Sequence, residues 1–315
     1  MRILGFDIGG TKCAVITADW DGENVTLLKK EKCPTDHSIH PTEMIGRLIA
    51  MADGILDCQP DAIGISCGGP LDSKRGVIMC PPNLPDWDDI HIVDQIKAHY
   101  GVPTHLQNDA NACAVAEWKF GAGKGADNVV FLTFGTGLGA GLILDGKLYS
   151  GTNDNAGEVG HIRLDNFGPV GFGKSGSFEG FCSGNGIAQL GYLKALELAQ
   201  CGKYPMYFKK GMTAADVTAK TVADAADAGD PTAIEVYRIC GDYLGRGLSV
   251  IIDILNPQVI VIGSIFGRSH NLLWDATKAQ IDKEALTIAA NVCKVVPAAL
   301  GEHIGDYAAV ATALL

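Results

Sequence analysis

At roughly 100–200 residues per domain, a 315-residue chain makes about two domains, and 47% hydrophobic with 19% charged residues places it among globular proteins rather than disordered ones. Thirty-six acidic against 25 basic residues give a net charge of −11, with no basic run longer than Lys29–Lys30 or Lys209–Lys210. That balance argues against nucleic acid and anionic membranes as partners, although local dipoles and metal ions still allow a polyphosphate site. Ten cysteines include no CxxC pair, which excludes zinc ribbons and thioredoxin motifs and points to reduced thiols in the cytoplasm. No 18-residue apolar stretch exists to span a membrane, and the first residues do not read as a signal peptide.

In chain order, Ile3–Phe6 reads as a buried strand, Asp7–Lys12 as a glycine-rich turn and Cys13–Thr17 as the returning strand. Asp21-Gly22 leads to a third strand at Val25–Leu28. Apolar residues at helical spacing predict a helix over Pro41–Leu56. Ala62–Ser66 is a strand before Gly68-Gly69-Pro70, Ile90–Tyr100 a helix, and Pro103–Leu106 a strand. Asn108–Asn111 opens a helix over Ala112–Phe120. Strands then recur at Val129–Phe134, Ala140–Leu144 and Lys147–Tyr149, around turns at Gly135–Gly139 and Asp145-Gly146. This repeats the opening pattern and predicts a diverged duplication.

Asn153–Gly186 reads as irregular and Ile187–Ala199 as a helix. Thr213 is expected to cap another. Asp230-Pro231 starts a long helix that ends at Asn256-Pro257. Val259–Ile262 is a strand with an exit turn at Gly263–Gly267, and a terminal helix covers Asp306–Leu315. Alternating strands and helices give an α/β class.

Asp7-Ile8-Gly9-Gly10-Thr11 follows a strand, so its backbone N–H groups can face a phosphate while Asp7 holds a metal-bound water. A plain hairpin turn is the other reading. Phe134–Ala140 has the same shape and also fits GxGxxA, but a strand follows where a dinucleotide site needs a helix. Gly168–Ser175 matches the P-loop pattern without a good strand before it or a helix after it, so it reads as a surface loop. Asp109, between strand and helix, is placed to accept a hydroxyl proton, and a helix N-terminus favours its ionised form; an N-cap role is the alternative. Glu158, His161 and Glu179 offer the acceptors that a polyol needs, with a solvated loop as the other reading. His161 lacks Cys or His neighbours at ligand spacing, so these residues do not read as a metal set.

The ordered set Asp7–Lys12, Gly68-Gly69-Pro70, Pro82–Trp87, Asn108–Glu117, Gly135–Gly141 and Glu158–His161 resembles the ROK family of sugar kinases and repressors, within the actin-like ATPase superfamily. The resemblance covers nearly the whole chain. It implies two ribonuclease-H-like α/β domains with a central cleft: residues 1–118, with the helix at about 303–315 packing back on them, and residues 119–302. It implies ATP and Mg2+ as cofactors, with Asp7, Gly9, Gly10, Thr11, Lys12, Gly135, Thr136, Gly137, Gly139 and Gly263 at the nucleotide. Asp109 corresponds to the general base that takes the hexose 6-hydroxyl proton. Asn108, Glu158, His161 and Glu179 correspond to sugar-binding residues, with Gly69 and Asn83 as further contacts.

Two departures from the family stand out. Its zinc loop, C-x-C-G-x-x-G-C-x-E, is here Val170–Glu179 with all three cysteines replaced, so no structural zinc is expected, and Val170 and Phe172 are expected to anchor the loop by packing. The glycine run beside the nucleoside is here Gly263-Ser264-Ile265-Phe266. The expected function is an ATP-dependent kinase of glucose or a related hexose, cytoplasmic and homodimeric. The alternatives are an N-acetylmannosamine or N-acetylglucosamine kinase and a non-catalytic sugar-binding regulator.

Overall fold

Buried apolar runs build the first sheet in a computed structural model that describes residues 1–315. β1 (Arg2–Ile8), β2 (Lys12–Trp20) and β3 (Val25–Pro34) pair antiparallel. After α1 (Pro41–Ile55), β4 (Ala62–Cys67) pairs parallel with β1. Three two-residue strands, β5 (Leu71–Asp72), β6 (Val77–Ile78) and β7 (Ile90–His91), form a separate small sheet. Then come α2 (Ile92–Tyr100), β8 (Thr104–Asn108), parallel to β4, and α3 (Asp109–Phe120). The main sheet has the order β3-β2-β1-β4-β8. Its central strands are apolar on both faces because helices cover both. Met44, Ile45 and Leu48 of α1 join the cluster that buries Phe6, Val15 and Ile65.

The second sheet starts with β9 (Val129–Phe134), β10 (Leu138–Leu144) and β11 (Lys147–Leu148). A hairpin, β12 (Val170–Gly171) and β13 (Lys174–Ser175), precedes α4 (Phe178–Phe181), α5 (Gly184–Gln200), α6 (Ala219–Asp227) and α7 (Pro231–Leu255). The chain continues through β14 (Val259–Ile262), α8 (Ile265–Arg268), α9 (His270–Glu284), α10 (Thr287–Ala290), β15 (Lys294–Pro297) and α11 (Ile304–Thr312). The order β11-β10-β9-β14-β15 repeats that of the first sheet: third, second, first, fourth, fifth. The repeat read from the two glycine turns is therefore a repeat of topology. No helix is long and apolar enough to cross a membrane.

Two units emerge. One comprises Met1–Phe131, Gly141–Ala156 and Ala299–Leu315; the other comprises Leu132–Ala140 and Gly157–Ala298. In the first, α11 lies directly on the sheet, because a Cβ at Gly64 would come within 2.1 Å of Ala309 O. Buried Glu117 at the end of α3 holds the approach to α11, accepting from Ala299 N at 3.2 Å and Leu300 N at 2.9 Å.

Several local readings are corrected. Ile90 and His91 pair with β6, so the helix starts at Ile92. Thr213 caps only a single 3-10 turn, and the next helix is capped by Thr218. The stretch 153–186 is less irregular than its glycines imply, since it holds β12, β13 and α4. The following helix starts at Gly184 under a Ser183 cap rather than at Ile187. Gly263–Gly267 is no simple turn, because α8 occupies Ile265–Arg268. Phe172 and Val170 do not anchor their loop; they are 79% and 46% exposed.

Candidate active site

In the first unit, parallel pairing aligns Asp7 with Ser66 and Cys67 with Asn108. Asp7, Gly68-Gly69 and Asn108-Asp109 thus share the C-terminal edge of neighbouring parallel strands, the usual ligand edge of α/β sheets. Asn108 is both strand end and N-cap of α3, its Oδ1 accepting from Ala110 N at 2.9 Å. Asp109 follows in the first helical turn, is exposed, and also accepts from Ala110 N, at 2.7 Å. The capping role and the exposed carboxylate therefore fall on adjacent residues. Gly69 sits against Asn108, whose Nδ2 would be 2.9 Å from a Cβ there.

The loop Gly9–Thr11 is fixed from β3 and the residues after it. Thr35 Oγ1 donates to Gly9 O at 2.5 Å and Thr35 N to Thr11 O at 3.0 Å, while His37 Nε2 lies 2.7 Å from Gly10 O. Sequence reasoning missed Thr35 and His37, for which no local motif exists. Gly10 has no room for a side chain, because a Cβ would sit 2.4 Å from Asn83 O; Asn83 itself is exposed beside this loop. Lys12 and Thr11 are exposed at the start of β2. Burial pushes the Asp7 carboxyl up to about 6; the nearby charges of Asp306 and Asp109 add to this, and Lys30 and Lys12 oppose it. Lys30 also pairs with the buried Asp306.

The second unit collects the other predicted residues. Gly135 N donates to Gly137 O at 3.1 Å, and Gly139 N to Thr133 Oγ1 at 3.0 Å, closing the β9–β10 turn around exposed Thr136. Glu179, one residue into α4, accepts from Leu138 N at 3.0 Å. Gly160 lies on the same turn, since a Cβ there would be 2.1 Å from Leu138 O and 3.2 Å from Glu179 Cβ. Glu158 precedes, and His161 ends, the 3-10 turn Val159–His161, and both are exposed. Gly263 is buried and gives its N–H to Leu132 O at 3.0 Å. Its neighbour Ser264 lines a cavity of about 450 Å³ with Gly135, Thr136, Asn185, Lys220 and Arg268. Sequence reasoning missed those last three; Arg268 was legible only as the end of the unrecognised α8.

The P-loop match does not fold as one. Gly168–Ser175 forms the β12–β13 hairpin, with Val170 opposite Ser175 and Gly171 opposite Lys174.

A family model described as "ROK family" matches residues 3–314. The chain belongs to the ROK family. Glucokinase from Halalkalibacterium halodurans is 31% identical over 96% of this chain and 92% of its own length. The xylose repressor of Bacillus spizizenii is 27% identical over 95% of this chain and 73% of its own length. Among solved structures, a ROK family glucokinase from Streptomyces griseus in complex with glucose and AMPPNP is 29% identical with a TM-score of 0.78, covering 100% of this chain and 99% of that one. The fold is accordingly the mixed α/β, actin-like ATPase fold of ROK kinases.

The family's structural zinc does not fit this chain. The zinc loop's cysteine positions hold Val170 and Phe172, which have no donor atom, and Ser177, whose hydroxyl caps α4 by accepting from Gly180 N. No group of three His, Cys, Asp or Glu side chains is arranged to hold a metal. Magnesium makes a different demand. It keeps several waters and uses one or two carboxylates plus substrate phosphates, so Asp7 beside Asp109 fits it.

Proposed function

We propose that this ROK protein is an ATP-dependent sugar kinase that phosphorylates the 6-hydroxyl of glucose or a related hexose. The observation that carries the reading is the pair Asp7 and Asp109 on one edge of the sheet, beside a glycine loop with no room for a side chain at Gly10. Likeness to glucokinases along almost the whole chain supports it. Asp109, exposed at a helix N-terminus, takes the proton of the acceptor hydroxyl. Asn108, Glu158, His161 and Glu179 hold the sugar hydroxyls, with Gly69 and Asn83 beside them. The Gly9–Lys12 loop and the Gly135–Gly139 turn bind the phosphates, and the cavity lined by Ser264 and Arg268 takes the nucleoside. Asp7, together with the phosphates, would hold Mg2+, which would supply neutralisation of charge on the transferred group.

A panel of hexoses and N-acetylhexosamines with coupled ADP detection tests the reading. Sugar-dependent ADP release with a phosphorylated sugar product is expected. Absence of ADP release with every sugar, alongside measurable sugar binding, would favour the non-catalytic regulator that the repressor relatives represent. The net charge of −11 supports a protein that does not bind nucleic acid, ten free cysteines support the cytoplasm, and a homodimer is proposed on family grounds.

A further inference from the structure

The hairpin that matched the P-loop pattern has a precise scaffold of its own. From α5, the Gln189 amide donates to Val170 O and accepts from Val170 N, both at 2.9 Å. On the returning strand, Arg163 Nη1 donates to Ser175 O at 2.6 Å, and Ser175 Oγ to Gly168 O at 2.9 Å. Its inner face rests on Glu179, since a Cβ at Gly171 would lie 2.8 Å from Glu179 Cβ. So anchored, it presents two side chains to His161. Lys174 Nζ donates to His161 O at 2.7 Å. The Phe172 ring meets the imidazole edge-on, with centroids 6.4 Å apart.

Phe172 is an unusual residue. It sits at a positive φ of 43°, which non-glycine residues adopt at a cost, and it leaves an aromatic ring 79% exposed. Packing does not account for it. His161 closes a three-residue 3-10 turn, and its ring makes no hydrogen bond within the chain. Backbone bonds hold the turn itself, from His161 N to Glu158 O at 3.2 Å and Ile162 N to Val159 O at 3.0 Å, and the hairpin adds the ammonium on the His161 carbonyl and the aromatic ring at the edge of its imidazole.

We infer that Lys174 and Phe172 are positioning residues, through which the hairpin holds His161 in place for the sugar acceptor. The inference rests on the kinase reading for the role of His161. It assigns a use to the lysine of the P-loop match that has nothing to do with phosphate.

Lys174→Met, Lys174→Arg, Phe172→Ala and Phe172→Leu would be assayed alone and in a His161→Ala background. The readouts are acceptor KM, ATP KM, kcat and calorimetric sugar affinity, with the melting temperature recorded for each. Lys174→Met and Phe172→Ala should each raise acceptor KM about five- to tenfold, the scale of one lost hydrogen bond or ring contact. ATP KM should stay within about twofold, and Lys174→Arg should restore most of the loss. In the His161→Ala background neither substitution should add a further loss, because the side chain they position is gone. If Phe172→Ala lowers the melting temperature, Phe172→Leu keeps the bulk and removes only the ring.

Unchanged acceptor KM in the well-folded variants would overturn the inference and leave the kinase reading standing. A full additional loss in the His161→Ala background would also overturn it, as would a change confined to ATP KM. Sugar binding without turnover in the unsubstituted chain would overturn the kinase reading instead, and calorimetry on the same variants would then decide the positioning role.

Discussion

Glu179 accepts a hydrogen bond from the backbone N–H of Leu138 at 3.0 Å. One carboxylate thus belongs both to the proposed sugar contacts and to the glycine turn proposed to face the nucleotide. Glu179→Ala strands the Leu138 N–H, which costs roughly 1–3 kcal/mol when a partner is removed. It should weaken sugar and nucleotide together, each by about fivefold or more on that scale. Glu179→Gln keeps an oxygen for Leu138 N and should spare nucleotide affinity. Glu158→Ala, on an exposed turn, should weaken sugar alone. Calorimetric titration of both ligands into the three variants checks this; a nucleotide affinity untouched by Glu179→Ala would sever the link.

Asp109 is predicted to be the general base. Asp109→Asn keeps an oxygen for the Ala110 N–H and should leave the fold and nucleotide affinity intact. The rate should fall by about 10²–10⁴, the usual worth of a positioned base. Turnover within a few-fold of the unsubstituted chain would remove Asp109 from that role.

Asp7 carries a pH signature. Its carboxyl, raised to about 6 by burial and by Asp306 and Asp109, holds its proton in the folded protein where the unfolded chain has already lost it. Stability from this group is therefore complete below about pH 4 and falls as pH rises towards 6. Above pH 6 its ionisation costs the fold on the order of 2–3 kcal/mol, from about two pKa units at 1.36 kcal/mol each. Asp7→Asn should stabilise the protein by that order at pH 7.5 and by almost nothing at pH 4, in denaturant titrations at the two pH values. The same substitution should weaken magnesium–nucleotide binding, and kcat/KM of the unsubstituted chain, which reports the metal-free enzyme, should fall as pH drops through about 6. Equal stability changes at both pH values would show that ionisation of Asp7 is not the cause.

The chain is expected to carry well under one zinc ion. Elemental analysis of tag-free protein, and activity before and after chelation with magnesium restored, measure it. Stoichiometric zinc whose removal unfolds the chain would mean that Val170–Glu179 is misaligned with the family's loop.

How much of this was legible follows from which forces are local. The strands of both repeats and the Asp230–Asn256 helix were readable because burial pattern, caps and proline act within a few residues. The two sets of site residues were readable through glycine turns and carboxylates at strand ends. Thr35 and His37, which hold the first loop, and Lys220, which lines the cavity, come from distant segments and leave no local pattern, whereas Arg268, four residues from Ser264, was missed because Gly263–Gly267 reads as a turn rather than the start of α8. Phe172 misled for a related reason. An aromatic residue in a glycine-rich loop reads as an anchor, yet the turn geometry of Phe172-Gly173 points it into solvent.

The last prediction concerns Glu117, a fully buried carboxylate that sequence reasoning placed in a helix, at the end of the Asn108–Glu117 match, without giving it a role. It accepts from Ala122 N at 2.8 Å, Ala299 N at 3.2 Å and Leu300 N at 2.9 Å. It therefore closes the C-terminus of α3 and fastens the segment that leads into α11. A carboxylate suits this place because both oxygens accept, and three backbone donors converge on them. Glu117→Gln keeps only one acceptor oxygen and turns an amide N–H₂ towards backbone N–H groups. Glu117→Ala leaves all three donors without a partner and opens a cavity. Each unsatisfied donor costs about 1–3 kcal/mol, reduced where water enters, so both variants should lose roughly 2–4 kcal/mol of stability. Because α11 lies against β1 and β4, the first unit should loosen selectively. Hydrogen exchange should rise in α11, β1 and β4 and stay unchanged in α7 and α9. Denaturant titration with residue-resolved exchange measures both effects; a loss below about 0.5 kcal/mol, the range of an ordinary surface substitution, would show that Glu117 does not fasten the C-terminal segment.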